Sequence, residues 1–363
     1  MSDNFNLTEY LNNSIELLVS NALRSSLKNP RESAFIMKYI VESKKAEKIR
    51  IRHEKNNKHI PPFLIASITT SCNLFCTGCY SRSNNSCNEA PERNDLTIGQ
   101  WGNIFSQAKD LGISFILLAG GEPLLRSDIV RCAGKYKSIV FPVFTNGTMF
   151  DDEIVELFDK NRNLVPVLSI EGDKAQTDNR RGTGTYDILT DVANRLSKKG
   201  VFYGVSITVT TENIETVTGD NFIEILYNSG CKVVFFVEYV PVTSTSKNLA
   251  PTEKERKILE DRQNKLRESY SNMIFISFPG DEKYTGGCLA AGRGFFHINA
   301  DGSAEPCPFS PYSDMNLKNC SLLDAVNSPL FNKLNQTGML LGEHVGGCLL
   351  FEKEEEVKKL IER

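Results

Sequence analysis

Residues 63–80 read Phe-Leu-Ile-Ala-Ser-Ile-Thr-Thr-Ser-Cys-Asn-Leu-Phe-Cys-Thr-Gly-Cys-Tyr. Apart from Ser67, the first eight are apolar or β-branched, the pattern of a parallel strand buried on both faces. The loop that follows carries Cys72, Cys76 and Cys79 at spacings x3 then x2 and runs into Tyr80. Three thiolates on one short loop can wrap three corners of a cubic iron–sulfur cluster. Such a cluster ordinarily takes four cysteines, so one iron is left free to bind something else. Structural zinc is the competing reading, but zinc prefers four closed ligands, usually from paired C-x2-C units. No histidine lies in this loop, although Cys87 follows closely as a surface thiol, a fourth ligand or a hydrogen-atom donor.

Outward from this stretch, five further apolar runs follow: 115–121, 139–147, 164–172, 204–210 and 233–241. Amphipathic helices fall between them, one with Trp101, Ile104, Phe105, Ala108 and Leu111 on a face, another with Ile188, Leu189, Val192 and Leu196. Strand–helix alternation predicts βαβ units with right-handed crossovers, giving a three-quarter barrel or an open doubly wound sheet. The runs end in polar or glycine-bearing tails: Thr69-Thr70, Gly120-Gly121-Glu122, Thr145-Asn146-Gly147, Ser169-Ile170-Glu171-Gly172 and Thr208. In β/α folds these carboxyl ends build the site.

The flanks read differently. Residues 1–57 are predicted helical, divided at Asn29-Pro30, and the basic run from Lys44 to Lys58 reads as a solvated helix face, with a membrane-surface or acidic-substrate contact as the alternative. Residues 58–245 form the strand–helix unit. Residues 246–363 form a smaller cysteine-bearing unit, with a helix opened by Thr252 and Glu255, a short strand at 273–278, and a hairpin turning at Asn299-Ala300-Asp301-Gly302. A net charge of −3 gives no sign of the positive field a nucleic-acid binder needs. No apolar stretch is long enough to span a membrane, and the start lacks a secretory pattern. The chain is therefore expected to be cytoplasmic, where clustered thiols are metal ligands or catalytic groups more often than disulfides.

With the cysteine loop and strand ends together, the sequence resembles the radical S-adenosylmethionine superfamily across roughly residues 62–241. The resemblance implies an α/β fold, a partial (β/α)6 TIM-like barrel with an N-terminal helical segment and a small C-terminal α+β iron–sulfur domain. It implies a 4Fe–4S cluster on Cys72, Cys76 and Cys79 whose open iron is chelated by S-adenosylmethionine, with Tyr80 as the aromatic residue after the motif. Gly120, Gly121, Glu122 and Pro123 match the element that contacts the methionine amino group; glycines admit close backbone approach and a carboxylate suits an ammonium. Thr145 and Asn146 resemble the adenosyl-pocket element. Ser169 would contact the methionine carboxylate and Glu171 the ribose, although the family's commoner residue there is aspartate. Arg181 falls where related enzymes grip the methionine carboxylate, with Arg180 its neighbour and competitor. Thr208 and Val209 would pack near the adenine.

Cys288, Gly302 and Cys307 resemble the opening of an auxiliary-cluster domain of the SPASM or shorter twitch type. The dense cysteine run of a full SPASM domain is missing, which favours one auxiliary 4Fe–4S cluster on Cys288, Cys307 and Cys348, its fourth iron taken either by Cys320 or, left open, by substrate or another residue. Zinc or simple burial are the competing readings. Cys132 and Cys231 read as core residues. The implied activity is reductive cleavage of S-adenosylmethionine to a 5′-deoxyadenosyl radical that takes a hydrogen atom from a peptide or a small-molecule or cofactor-precursor substrate, with a reductant such as flavodoxin or ferredoxin as partner. The alternative is a non-catalytic iron–sulfur electron carrier or redox sensor. Residues 1–57 do not read as a peptide-gripping winged module. Glu238, Tyr239, Asp281 and His297 are acid–base candidates near the barrel mouth.

Overall fold

The computed structural model describes residues 6–84, 86–89, 94–241, 244–341 and 348–361. Each of the six apolar runs contains a strand: β1 (Phe63–Ser67), β2 (Phe115–Ala119), β3 (Phe141–Thr145), β4 (Leu164–Ser169), β5 (Gly204–Val209) and β6 (Val233–Glu238). Sequence neighbours pair in parallel throughout. The short strand that the sequence assigns to the C-terminal unit, β7 (Ile274–Phe278), joins this sheet beside β6, also parallel. The reason is the helix Glu253–Ser269, whose capping box at Thr252 and Glu255 starts one more strand-to-strand crossover.

At the other edge, β8 (His297–Ile298) pairs parallel to β1, and β9 (Ala304–Glu305) returns antiparallel to β8 as the expected hairpin. The result is a nine-stranded sheet ordered β7-β6-β5-β4-β3-β2-β1-β8-β9, curled into a partial TIM-type barrel. The hairpin expected to stand in a separate unit is thus hydrogen-bonded to the strand that precedes the cysteine loop.

Strand alternation sorts the core into two layers. Leu64, Ala66, Ile116, Leu118, Phe141, Val143 and Ile207 share one large cluster with the helix residues Trp101, Phe105, Phe158, Leu189 and Leu196. Val167, Val233, Phe235 and Ile274 point to the concave side, where Leu18, Ala22, Phe144 and Ile276 join them. Leu18 and Ala22 belong to α1 (Leu7–Ser26), which with α2 (Pro30–Glu54) forms the N-terminal hairpin. Asn29 caps α2 and Pro30 takes its first position, where a missing N–H costs nothing. Ile15, Val19, Ile36 and Tyr39 seat this hairpin against Phe63, Phe115 and Val140 at the foot of the sheet.

The basic run departs from expectation at one residue. Lys44, Lys45, Lys48, Arg52, Lys55 and Lys58 are exposed, but Arg50 is buried. Its guanidinium donates to Gly112 O (2.5 Å), Ser114 Oγ (2.9 Å) and Asn12 Oδ1 (2.6 Å). Burial pushes it down to about 10.

Candidate active site

The cysteine loop leaves β1 and is clamped from two sides. The Cys72 N–H donates to Asn88 O (3.0 Å), and the Asn88 N–H to Thr70 O (2.6 Å). Arg82 folds its guanidinium back onto Leu74 O (2.8 Å) and Cys72 O (3.3 Å). Gly78 adopts φ +68, a left-handed conformation that suits glycine. This curvature carries Cys72, Cys76 and Cys79, all half-buried free thiols. The Cys87 thiol hydrogen-bonds Cys72 and pushes it down to about 6. Burial pushes Cys76 up, opposed by Arg181 and Arg180, and Arg181 Nη1 reaches its sulfur at 3.9 Å.

The strand tails converge around this loop. After β2, the Gly121 N–H donates to Thr69 O (2.9 Å) and the Glu122 N–H to Ser71 O (2.7 Å). A side chain at Gly121 would overlap Ser71 O, which is why this approach needs glycine. Glu122 is buried. Its carboxylate accepts from Leu124 N (3.0 Å), Thr145 Oγ1 (2.7 Å) and Asn146 N (2.8 Å), tying β2 to β3. Burial pushes it up to about 7. Pro123 opens the turn that follows. Asn146 Nδ2 donates to Asn73 Oδ1 (2.9 Å), and Asn73 Nδ2 to Thr148 Oγ1 (2.7 Å). The sequence singled out neither Asn73 nor Thr148; their places inside the cysteine loop and beside Asn146 were the available signals.

Beyond β4, Glu171 is buried and accepts from both candidate arginines: Arg180 Nη1 at 2.5 Å and Arg181 Nε at 2.7 Å. Its second oxygen accepts from Thr208 N (2.9 Å), while Arg180 also donates to Thr208 Oγ1 (2.7 Å). Glu171 thus engages both: Arg180 ties it to β5, and Arg181 spans Glu171 and Cys76. Ser169 ends β4 beside Ser206 of β5.

The C-terminal cysteines divide. Cys288 and Cys307 are buried and Cys348 half-buried. The Cys307 and Cys348 thiols share a hydrogen bond, and burial raises Cys288 further through its neighbours Glu282 and Cys348. Cys320 stands apart, its thiol donating to Asn316 O (3.2 Å) with Asp324 and Asp314 as its charged neighbours. Tyr80 lies between the two cysteine sets. Its ring packs on Phe309 (centroids 4.8 Å apart), and burial first, then Cys79, Cys87 and Cys307, raise its hydroxyl.

Among the acid–base candidates, His297 is enclosed between Ser67 Oγ (2.8 Å) and Glu305 Oε2 (2.7 Å). Asp281 is held by Arg267 and Ser277 N. Glu238 and Tyr239 are buried at the end of β6. Cys231 is a core residue, and Cys132 packs against the core.

Among the described residues, no three His, Cys, Asp or Glu side chains are drawn together tightly enough to hold a single metal ion. A cubane asks for thiolates spread around its corners instead. The buried hydroxyls of Ser71, beside Cys72, and Tyr239 have no partner among the described residues. A Cβ placed on Gly78 would stand 2.5 Å from the Tyr239 hydroxyl, so this spare donor faces the cysteine loop. Ser310, which pairs with Cys307 across a tight turn, carries a third such hydroxyl. Unsatisfied donors beside each cysteine set fit sulfur-rich groups that accept hydrogen bonds.

Residues 66–220 match the family model of the Radical SAM superfamily. Barrel followed by cysteine-bearing segment is the SPASM-like architecture of that superfamily. The chain is similar to the AdoMet-dependent heme synthase of Methanosarcina barkeri, 26% identical over 311 residues, spanning 78% of this chain and 87% of that protein. It is 24% identical over 189 residues to the Fe-coproporphyrin III synthase of the same organism, spanning 51% and 46%. It is also 23% identical over 259 residues to the sporulation killing factor maturation protein SkfB of Bacillus subtilis, spanning 69% and 61%. Its fold is that of Streptococcus suis SuiB bound to S-adenosylmethionine, at a TM-score of 0.68 and 20% identity over 84% of this chain and 77% of that one. Such relatives are enzymes that act on peptides or cofactor precursors. No helix among the described residues is long and apolar enough to cross a membrane.

Proposed function

We propose that Cys72, Cys76 and Cys79 hold a 4Fe–4S cluster at which S-adenosylmethionine binds, and that Cys288, Cys307 and Cys348 hold a second cluster. S-adenosylmethionine bound there supplies, on reduction, methionine and a 5′-deoxyadenosyl radical that takes a hydrogen atom from substrate. One observation carries this reading: the cysteine loop, Glu122 and the Glu171–Arg180–Arg181 network occupy adjacent ends of one parallel sheet. Glu122 offers a carboxylate to the methionine ammonium, Arg181, held by Glu171 through Nε, its Nη1 to the methionine carboxylate, and Thr145, Asn146, Ser169 and Glu171 line the rest. A carrier of electrons needs none of these groups. Anaerobic protein given dithionite and S-adenosylmethionine should form 5′-deoxyadenosine; absence of the nucleoside in iron-loaded protein favours the carrier. On this reading residues 58–245, continued by β7, carry the catalysis, the cysteines after β7 hold the auxiliary cluster, and the reductant is a cytoplasmic flavodoxin or ferredoxin.

The substrate reading rests on a cavity of about 680 Å³ inside the barrel, within the usual size of small-molecule sites. Phe63, Ile65, Phe115, Leu117, Val165 and Phe235 line it from the strands, α1 closes one side, and Phe278 and Phe295 bound another. Ile65 and Leu117 stand two residues before their strand ends and Phe63 and Phe115 open the same strands, so the chamber runs from roughly 7 Å below the rim down to the foot of the sheet. An apolar, ring-sized body suits it, which favours a cofactor precursor of the tetrapyrrole kind over a peptide. Two relatives carry heme or Fe-coproporphyrin III in their names, and a third is the pre-heme d1 synthase of Dinoroseobacter shibae. Titration with Fe-coproporphyrin III should shift its Soret band, and Leu117→Trp should weaken that binding. If the porphyrin leaves the band unmoved, the peptide reading, which SkfB and the PqqA peptide cyclase of Rhizobium meliloti favour by name, takes its place.

A further inference from the structure

The second cysteine set supplies three thiols, and Cys320 does not join them. A different side chain does. Glu282 sits in the turn Gly280–Thr285, six residues ahead of Cys288. Thr285 Oγ1 hydrogen-bonds both Glu282 O (2.6 Å) and Gly287 O (2.7 Å), doubling the chain back so that Glu282 meets Cys288. The Glu282 carboxylate is hydrogen-bonded to the Cys288 thiol and to the Leu289 N–H, with Arg293 and Glu238 as its charged neighbours. It also acts on Cys348. The set closes on itself: Cys307 pairs with Cys348, Cys288 neighbours both, and Glu282 neighbours Cys288 and Cys348.

Glu282 is only 6% exposed. The nearby guanidinium of Arg293 spends its donors on Cys288 O (2.5 Å) and Thr285 O (3.2 Å) instead of the carboxylate. A carboxyl group buried without an ion-pair partner is costly to keep unless it is hydrogen-bonded or binds a metal. A cubane with three thiolates leaves one iron to be filled by a non-cysteine ligand. We propose that Glu282 is that ligand: it loses its proton and bonds the fourth iron of the cluster held by Cys288, Cys307 and Cys348. The inference rests on the second cluster proposed above.

The test uses the full chain with Cys72, Cys76 and Cys79 all changed to alanine, so that only the second cluster forms. Iron and sulfide content and the EPR spectrum are read after anaerobic reconstitution. In this background Glu282→Gln, which keeps the shape but offers a poor ligand, should lose about one iron in four and show the signal of a 3Fe–4S centre. Glu282→Cys should restore the full complement. Added cyanide should perturb the spectrum of those glutamine-variant clusters that keep their now open fourth iron and leave the parent unchanged. A glutamine variant with full iron and the parent's spectrum, or a parent that itself responds to cyanide, overturns the assignment. Iron missing from the parent as well removes the second cluster, and the assignment with it.

Discussion

At the residue scale, the site is made by groups whose chemistry is read only with their neighbours. By sequence Glu122 is the carboxylate of the Gly120–Pro123 element, with no hint of its own partners. Buried and holding Thr145 and Asn146, it has its proton affinity raised to about 7. Between the ordinary glutamate range and about 7 the folded state therefore binds more protons than the unfolded one, so cluster-free protein loses stability as pH rises through this window. Glu122→Gln should flatten that decline in melting temperature between pH 5 and 8; an unchanged slope would assign it to Glu282, which burial also raises to about 7. Tyr239 gives a second prediction. Its spare hydroxyl over Gly78 is placed to donate to the first cluster, and hydrogen bonds to cluster sulfurs raise the potential. Tyr239→Phe should make the first cluster harder to reduce in an EPR-monitored titration and leave the second unmoved. The Tyr239 role was invisible in the sequence, where Tyr239 is one acid–base candidate among several.

At the element scale, the strands and most helices were legible, because apolar periodicity and a cap such as Thr252 act locally. What a helix docks against is not local. Arg50 belongs by composition to a solvated run, yet the seating of α2 turns it inward to Gly112, Ser114 and Asn12. Arg50→Ala should destabilise the protein by about 2–4 kcal/mol in denaturant unfolding, since buried acceptors lose their donor. Lys44→Ala and Lys48→Ala, at exposed sites, should fall within about 0.5 kcal/mol of the parent. β7 teaches the same lesson. A short apolar segment after a helix reads as the start of something new, and only pairing with β6 makes it the seventh parallel strand.

At the scale of the whole molecule, two cysteine sets lie on either side of one aromatic contact, Tyr80 against Phe309. Cys76→Ala should abolish the first cluster's absorbance and all nucleoside formation while far-UV dichroism stays unchanged. Cys307→Ala should remove up to about half of the iron and leave uncoupled cleavage of S-adenosylmethionine. Equal iron in Cys307→Ala and parent would leave the chain with a single cluster.

The sequence by itself determined the parallel β/α order, the three-cysteine loop after β1 and the polar strand ends, because each is encoded in spacing along the chain. Only the tertiary structure decided that Arg180 and Arg181 share Glu171, that Cys320 stands apart while Glu282 joins Cys288, and that an apolar chamber lies under the rim. Those facts depend on which residues distant in sequence are brought within a few ångströms. Burial then sets their charge and their demand for partners, and no local pattern records that.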